Sequence, residues 1–203
     1  MKWLFRSPSF EEVIHLLAAW RIWLLGAVIG GIAAVVVFII FPPPYRAQVT
    51  VLIDHNIEQV ILEEDDDTRR FNYLQEENEK LIQVAWSDPV MEKVSVESGF
   101  PVEELKADLL HLSQPGDGGW HFLADSPDSA QAQTLASVWG NAFYDTLAAG
   151  GPGVNPIMEF SLVQSEGLEP KRSVAWGAYL FFGSLTGAAV LAFFLLFFHR
   201  KDI

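Results

Sequence analysis

The sequence predicts a mixed α+β domain held between two transmembrane helices. Two apolar runs without a charged residue carry the helix prediction: residues 22–41, which number 20, and residues 173–198, which number 26. A helix rises about 1.5 Å per residue, so about 20 apolar residues cross the hydrocarbon core of a bilayer. The residues between the runs are polar and show strand-like and helix-like spacing in turn. We therefore expect a water-exposed domain that is tethered to a membrane at both ends.

The predicted organisation has five parts. They are a cytoplasmic N-terminal segment (1–21), a first transmembrane helix (22–41), an extracytoplasmic α+β domain (42–172), a second transmembrane helix (173–198) and a cytoplasmic tail (199–203). Ser9 and Glu12 are spaced as in a capping box, and apolar residues then recur at helical spacing. The N-terminal segment is therefore predicted to hold a helix that lies in the head-group region. A docking surface for a cytoplasmic partner is the alternative.

The distribution of charged residues predicts the orientation of the chain in the membrane and argues against nucleic acid as a partner. The 131 residues of the central segment carry 23 acidic and 8 basic residues, a net charge of −15. Such a domain is poorly suited to nucleic acid, whose binding depends on basic patches. Five basic residues lie on the terminal sides of the two apolar runs and three on the domain side, which predicts that both termini are cytoplasmic. A cleaved signal peptide is disfavoured, because the first apolar run is long and no small-residue cleavage site follows it.

The spacing of apolar and polar residues in the central segment predicts the order of its helices and strands. Residues 45–54 alternate apolar and polar side chains, as a half-buried strand does. Helical spacing follows at 71–85, after Asp88-Pro89 and from Pro101 to about Lys106, with Asp88 as the predicted N-cap of the second helix. The remaining predicted elements are strands at 108–112 and 120–125, a helix after Ser126-Pro127 and a strand at 157–164. Strand, helices, strand, strand, helix, strand is the order of the ferredoxin-like split β-α-β fold.

The sequence shows no pattern that indicates an enzyme. It contains no HExxH, GxSxG or phosphate-loop motif and no cysteine, and its five histidines are scattered. Residues Glu63 to Asp67 form an acidic run that we interpret as a solvated loop. A divalent-cation site is the alternative, but the run lacks the spaced ligands and the glycine of a calcium loop. We therefore predict no catalytic, cofactor-binding or metal-binding residue and no cofactor.

Glycines in both apolar runs predict close helix packing. Gly26 and Gly30 are four residues apart in the first run, and Gly183 and Gly187 repeat that spacing in the second. Small residues at this spacing let helix backbones approach each other in lipid, within one chain or between chains. The three prolines after the first run, Pro42 to Pro44, cannot continue a helix and are predicted to end it at the membrane surface.

The order of these features resembles a known family. The matching stretches are Trp20-Arg21-Ile22-Trp23 before the first run, Phe41-Pro42-Pro43-Pro44-Tyr45-Arg46-Ala47 after it, Glu169-Pro170-Lys171-Arg172 before the second run, and His199-Arg200-Lys201 at the end. A helix carrying Asp128, Ala130 and Ala132 adds to the likeness. Together they resemble the chain-length determinant (Wzz-type) proteins, the polysaccharide co-polymerases of bacterial envelope glycan synthesis. The chain resembles a short member, since it lacks the long helical extension of the better-known ones.

The resemblance implies a function without catalysis. It implies a homo-oligomer in the bacterial cytoplasmic membrane that regulates the polymerisation, chain length or export of a cell-surface polysaccharide. The implied partners are a membrane polysaccharide polymerase and a lipid-linked glycan. Besides the four glycines, we expect Pro42, Pro43, Pro44, Tyr45 and Pro170 to hold the structure at the membrane surface. The alternative from another class is an extracytoplasmic sensor or binding module that signals through its membrane helices, although the predicted five-residue tail provides no output domain.

Overall fold

The computed structural model describes Phe10, Ile14 and residues 18–60, 67–114, 119–151, 155–163 and 169–199. Its elements are, in chain order, α1 (Trp20–Ile40), β1 (Tyr45–Asp54), α2 (Ile57–Val60), α3 (Asp67–Ala85), α4 (Asp88–Ser98), α5 (Val102–Glu104), a π-helical turn (Leu105–Leu109), β2 (Leu110–Ser113), β3 (Gly119–Ser126), α6 (Ser129–Ala148), β4 (Glu159–Val163), β5 (Lys171–Arg172) and α7 (Trp176–His199). They fall into two compact units: Met1–Pro43 with Val174–Ile203, and Pro44–Ser173.

The first unit contains the two long apolar helices. α1 has 21 residues and α7 has 24, so each is long enough to cross a membrane. Only 11% of the apolar window of α1 and none of that of α7 is buried, whereas a core helix of a soluble domain buries most of its surface. α1 ends at Ile40, two residues before the prolines that cannot extend it. α7 begins at Trp176 and not at the predicted residue 173, because the amide of Ser173 still bonds to Pro44 beside β5.

The second unit is built on an antiparallel sheet of strand order β2-β3-β1-β4, with β5 pairing to the first two residues of β1. β1 is central and pairs antiparallel with β3, β4 and β5. β1 and β2 therefore run parallel to each other with β3 between them, and β3 and β4 run parallel with β1 between them. These pairings confirm a mixed α+β fold.

The core lies between one face of the sheet and the helices. Ala47, Val49, Val51 and Ile53 of β1 are buried, as the alternation of this strand predicts. The neighbouring strand β3 adds three more buried side chains, Trp120, Phe122 and Ala124. α6 packs on this face so closely that a Cβ at Gly140 would lie 2.7 Å from Cγ1 of Val49, hence the glycine.

Trp139 of α6 contacts both the sheet and the residues at the end of α3. Its side chain is fully buried, and its ring meets that of Phe122 edge to face at 4.8 Å. It also lies 4.7 Å from the ring of Trp86, measured between centroids. Its indole Nε1 donates a hydrogen bond of 3.0 Å to the carbonyl of Ala85, the last residue of α3. One residue of α6 thereby links the sheet to the end of α3.

Several helices and strands begin or end at residues other than the predicted ones. β1 occupies the predicted residues, but β2 starts two residues later than predicted because the π-helical turn continues to Leu109. The N-cap of α4 is Ser87, so the prediction of Asp88 is wrong by one residue. Gly99 ends α4 with φ at 78°, a conformation that favours glycine. Phe71, one of the residues that marked α3, is 65% exposed, and α3 is anchored instead by Leu81 and its neighbours.

Other predictions fall outside the described residues. The interfacial helix of the N-terminal segment lies largely there, as do residues 63–66 of the acidic run and residues 115–118 of the turn between β2 and β3. The same holds for 152–154, 164–168 and 200–203.

Candidate functional site

The four predicted glycines lie together in the contact between α1 and α7, and we call them the glycine seam. A Cβ at Gly26 would lie 2.5 Å from the carbonyl oxygen of Gly187 and 2.9 Å from Cδ1 of Leu191. A Cβ at Gly183 would lie 2.6 Å from the carbonyl oxygen of Gly30. Gly26 thus faces Gly187 and Gly30 faces Gly183, so the two helices run antiparallel with their backbones in direct contact.

The seam continues in four-residue steps beyond the glycines. Ala34 contacts Gly183, and the rings of Phe38 and Tyr179 meet edge to face with 5.2 Å between centroids. Ala34, Phe38 and Tyr179 are not among the interface residues predicted from the sequence. The signal was present, however, because positions 26, 30, 34 and 38 and positions 179, 183 and 187 share the spacing that places residues on one helix face. All of these contacts are made within one chain.

Two apolar grooves flank the seam. One, of about 810 Å³, is lined in part by Ala33, Val37, Phe182 and Val190. The other, of about 570 Å³, lies on the opposite side and includes Val28, Ile32 and Val35. Among the described residues, neither groove is lined by an acidic, basic or histidine side chain, and Tyr179 in the first groove is the one residue with a titratable group. Their surfaces suit hydrocarbon, either lipid chains or other apolar helices.

The chain enters and leaves the second unit through a short two-stranded ladder. We call this ladder, Pro44–Arg46 with Lys171–Ser173, the stem. The amide of Ser173 donates a 2.8 Å hydrogen bond to the carbonyl of Pro44, and Tyr45 pairs with Arg172 across the strands. The guanidinium carbon of Arg172 lies 3.9 Å from the ring centroid of Tyr45, a cation–π contact. The stem thus fixes the two connecting segments beside each other.

The predicted surface residues lie in or next to the stem. Tyr45 and Pro44 belong to it, while Pro42 and Pro43 form no regular structure between α1 and β1. Pro170 immediately precedes β5. The structure therefore brings Tyr45 together with the segment that follows Pro170. No local pattern predicts β5 itself, because two residues cannot show a strand period.

A partly buried ion pair joins Arg46 of the stem to Asp125 of β3. Nε and Nη2 of Arg46 donate hydrogen bonds of 2.7 and 2.6 Å to the two carboxylate oxygens of Asp125. These bonds raise the pKa of Arg46 above its ordinary value. Asp125 is only 7% exposed, and Nε2 of His111 lies 3.5 Å from its Oδ2 atom. Because Arg46 and Asp125 are 79 residues apart, only the β1–β3 register reveals the pair.

A second polar cluster lies at the far end of β1 from the stem. Nδ2 of Asn56, whose φ is 44°, donates to the carbonyl of Ile157, and Nδ2 of Asn155 donates to the hydroxyl of Tyr73. Burial raises the pKa of Tyr73. Burial also lowers the pKa of His55, against the opposing effect of the Glu77 carboxylate. These contacts join the segment after β1 to the segment before β4.

A cavity of about 560 Å³ opens beside this cluster, with Asp54, His55, Glu159 and Phe160 in its lining. Within the described parts of the chain no three histidine or acidic side chains are grouped as metal ligands would be. No side chain in the lining is paired with a base in the manner of an activated nucleophile. The contacts of this region are those of a structural cross-link.

The described residues thus define a class: a mixed α+β protein with two apolar helices, each long enough to cross a membrane. A scan against models of protein families finds no match, and a search of curated proteins finds no significant match. A functional assignment must therefore start from the layout of this chain and the geometry of its helix pair and stem.

Proposed function

We propose that this protein is a non-enzymatic scaffold of the bacterial cytoplasmic membrane that regulates the polymerisation, chain length or export of a cell-surface polysaccharide. Lipopolysaccharide O-antigen, capsule and exopolysaccharide are the candidate products. The observation that carries the proposal is the antiparallel, glycine-packed pair α1 and α7, whose connections to one α+β domain are joined in the stem. This arrangement supports the resemblance to the chain-length determinant family.

The membrane location and orientation are part of the proposal. Their support is the length and exposed apolar surface of both helices and the excess of basic residues on the terminal sides of the two runs. Because the chain has no cysteine, single cysteines can report the topology. In spheroplasts, a membrane-impermeant maleimide should label Ser113→Cys, on the exposed end of β2, and should leave Lys201→Cys unlabelled until the cells are lysed. Labelling of both positions before lysis would contradict a cytoplasmic C-terminus.

The domain is proposed to have a ferredoxin-like fold. The support is the strand order. β1 and β2 belong to one β-α-β unit and have β3 between them, whereas β3 and β4 belong to the other unit and have β1 between them. The departures are the several helices between β1 and β2 and the added strand β5.

The proposed mechanism is scaffolding by a homo-oligomer. In it, the domains and helices of several copies surround a membrane polymerase and its lipid-linked glycan and set how long the polymerase retains the chain. Since the glycine seam is occupied within one chain, the surfaces proposed for contact between copies are the outer helix faces and the domain. No step in this mechanism needs a catalytic residue or a cofactor.

Deleting the gene should change the length distribution or amount of a surface polysaccharide and leave its sugar composition unchanged. A scaffold alters how long a chain is held and not which bonds are made. Electrophoresis of extracted glycan measures the length, and sugar analysis after hydrolysis measures the composition. Complementation with the wild-type gene should restore the pattern. A deletion strain with wild-type chain lengths and yield would overturn the proposal and favour the sensor instead.

A further inference from the structure

The stem concentrates positive charge in an otherwise acidic domain. Three of the eight basic residues in the central segment are Arg46, Lys171 and Arg172, and 23 acidic residues are spread through the same segment. Directly opposed like charges destabilise a strand pair, yet Arg46 lies opposite Lys171. The bidentate bond to Asp125 neutralises Arg46, which makes this pairing tolerable.

The other two cations of the stem differ in how they are held. Lys171 is exposed, and among the described side chains it forms none of the ion pairs. Arg172 is partly buried on the opposite face of the ladder, where the stack on Tyr45 fixes its guanidinium plane. Holding an arginine in one orientation reduces the entropy that it loses when it binds an anion.

Chain length alone keeps these cations near the ends of the apolar helices. Three residues separate Arg172 from Trp176 at the start of α7, and four separate Ile40 at the end of α1 from Tyr45. An extended chain covers at most about 3.3–3.6 Å per residue, so each connection spans no more than about 18 Å. The head-group layer adds several Å to each side of a bilayer core that is about 30 Å thick, and the phosphates lie in this layer. The connections therefore hold the stem within about 18 Å of the helix ends, which allows contact with the phosphate layer if α1 and α7 cross the membrane.

We infer that Lys171 and Arg172 bind the phosphate groups of anionic phospholipids. The inference rests on the proposed membrane location. An acidic domain is repelled by an anionic membrane surface, and each basic residue at that surface contributes about 1 kcal/mol of attraction, or about fivefold in affinity. Glu169, two residues before Lys171, opposes this attraction. The stem thus attaches the membrane-near end of the domain to lipid head groups while the rest of its charge is repelled.

Native mass spectrometry of the full chain in neutral detergent tests the inference. Phosphatidylglycerol and phosphatidylcholine with the same acyl chains are titrated, and the ratio of their affinities is the readout. Lys171→Ala should lower the preference for phosphatidylglycerol about fivefold, and Lys171→Ala with Arg172→Ala should lower it further. Arg172→Lys keeps the charge but loses the planar stack, so most of the preference should remain. Glu169→Gln should increase the preference.

The controls separate the stem from other basic positions and other anions. Lys106→Ala removes an exposed cation of the domain outside the stem and should leave the preference unchanged. Arg21→Ala removes a cation at the other end of α1. A preference that survives the double stem variant and disappears with Arg21→Ala would overturn the inference. So would glycerol phosphate that competes as strongly as the lipid, since the site would then serve a soluble phosphate. Either result leaves the maleimide and glycan experiments unaffected, so this inference can fail without the proposed function.

Discussion

Replacing Gly30 with leucine should separate α1 from α7. A Cβ at Gly30 would lie 2.9 Å from Cα of Gly187, and the atoms that it meets belong to backbone. Backbone atoms cannot turn aside as the end of a long side chain does, so the helices must move apart and lose the contacts along the seam. In lipid that packing is the main attraction between helices. We expect the variant to retain its helices and lose their antiparallel pairing.

Crosslinking within the cysteine-free chain measures this effect. Phe38→Cys with Tyr179→Cys places two thiols where the two rings now touch, and a short bifunctional thiol reagent should join them in high yield. Adding Gly30→Leu should reduce the yield to a small fraction. Gly177→Leu is the matched control, because a Cβ at Gly177 would meet no atom within 4 Å. Equal yields for Gly30→Leu and Gly177→Leu would show that the seam does not hold the pair.

Trp139→Ala should have the largest effect on the stability of the domain. It removes a fully buried indole that contacts Phe122 and Trp86 and leaves the carbonyl of Ala85 without its donor. Truncation of a buried tryptophan lowers the free energy of unfolding by about 3–5 kcal/mol. Urea unfolding of the full chain in detergent, followed by near-ultraviolet circular dichroism, measures the change.

Two further substitutions calibrate this measurement. Trp139→Phe keeps an aromatic ring and loses the hydrogen bond, so its cost should be smaller than that of alanine. Phe71→Ala changes a side chain that is 65% exposed, and it should lower the free energy of unfolding by no more than about 0.5 kcal/mol. If Trp139→Ala and Phe71→Ala cost the same, Trp139 does not link the sheet to α3.

The parts that the sequence predicts best are those with a local period. β1 alternates cleanly because one of its faces is buried along its whole length, and the seam glycines repeat at the spacing of a helix face. The Arg46–Asp125 pair has no local signal, since it depends on the register between strands that are far apart in the chain. Phe71 lies at the start of the predicted helical spacing and is nevertheless exposed, because spacing identifies a face of a helix but not how far along that face the packing extends.

The position of β1 has a consequence for synthesis. β1 is the first strand of the domain to leave the ribosome, and its last partner is β5, 127 residues later between Tyr45 and Arg172. At about 5–20 residues per second, this partner emerges roughly 6–25 s after β1. In the first part of that interval the apolar face of Ala47, Val49, Val51 and Ile53 lacks α6, which later packs on it, and the edge of β1 lacks β4 until shortly before β5 is made. The central strand of the domain is thus the first to be made and the last to be completely paired.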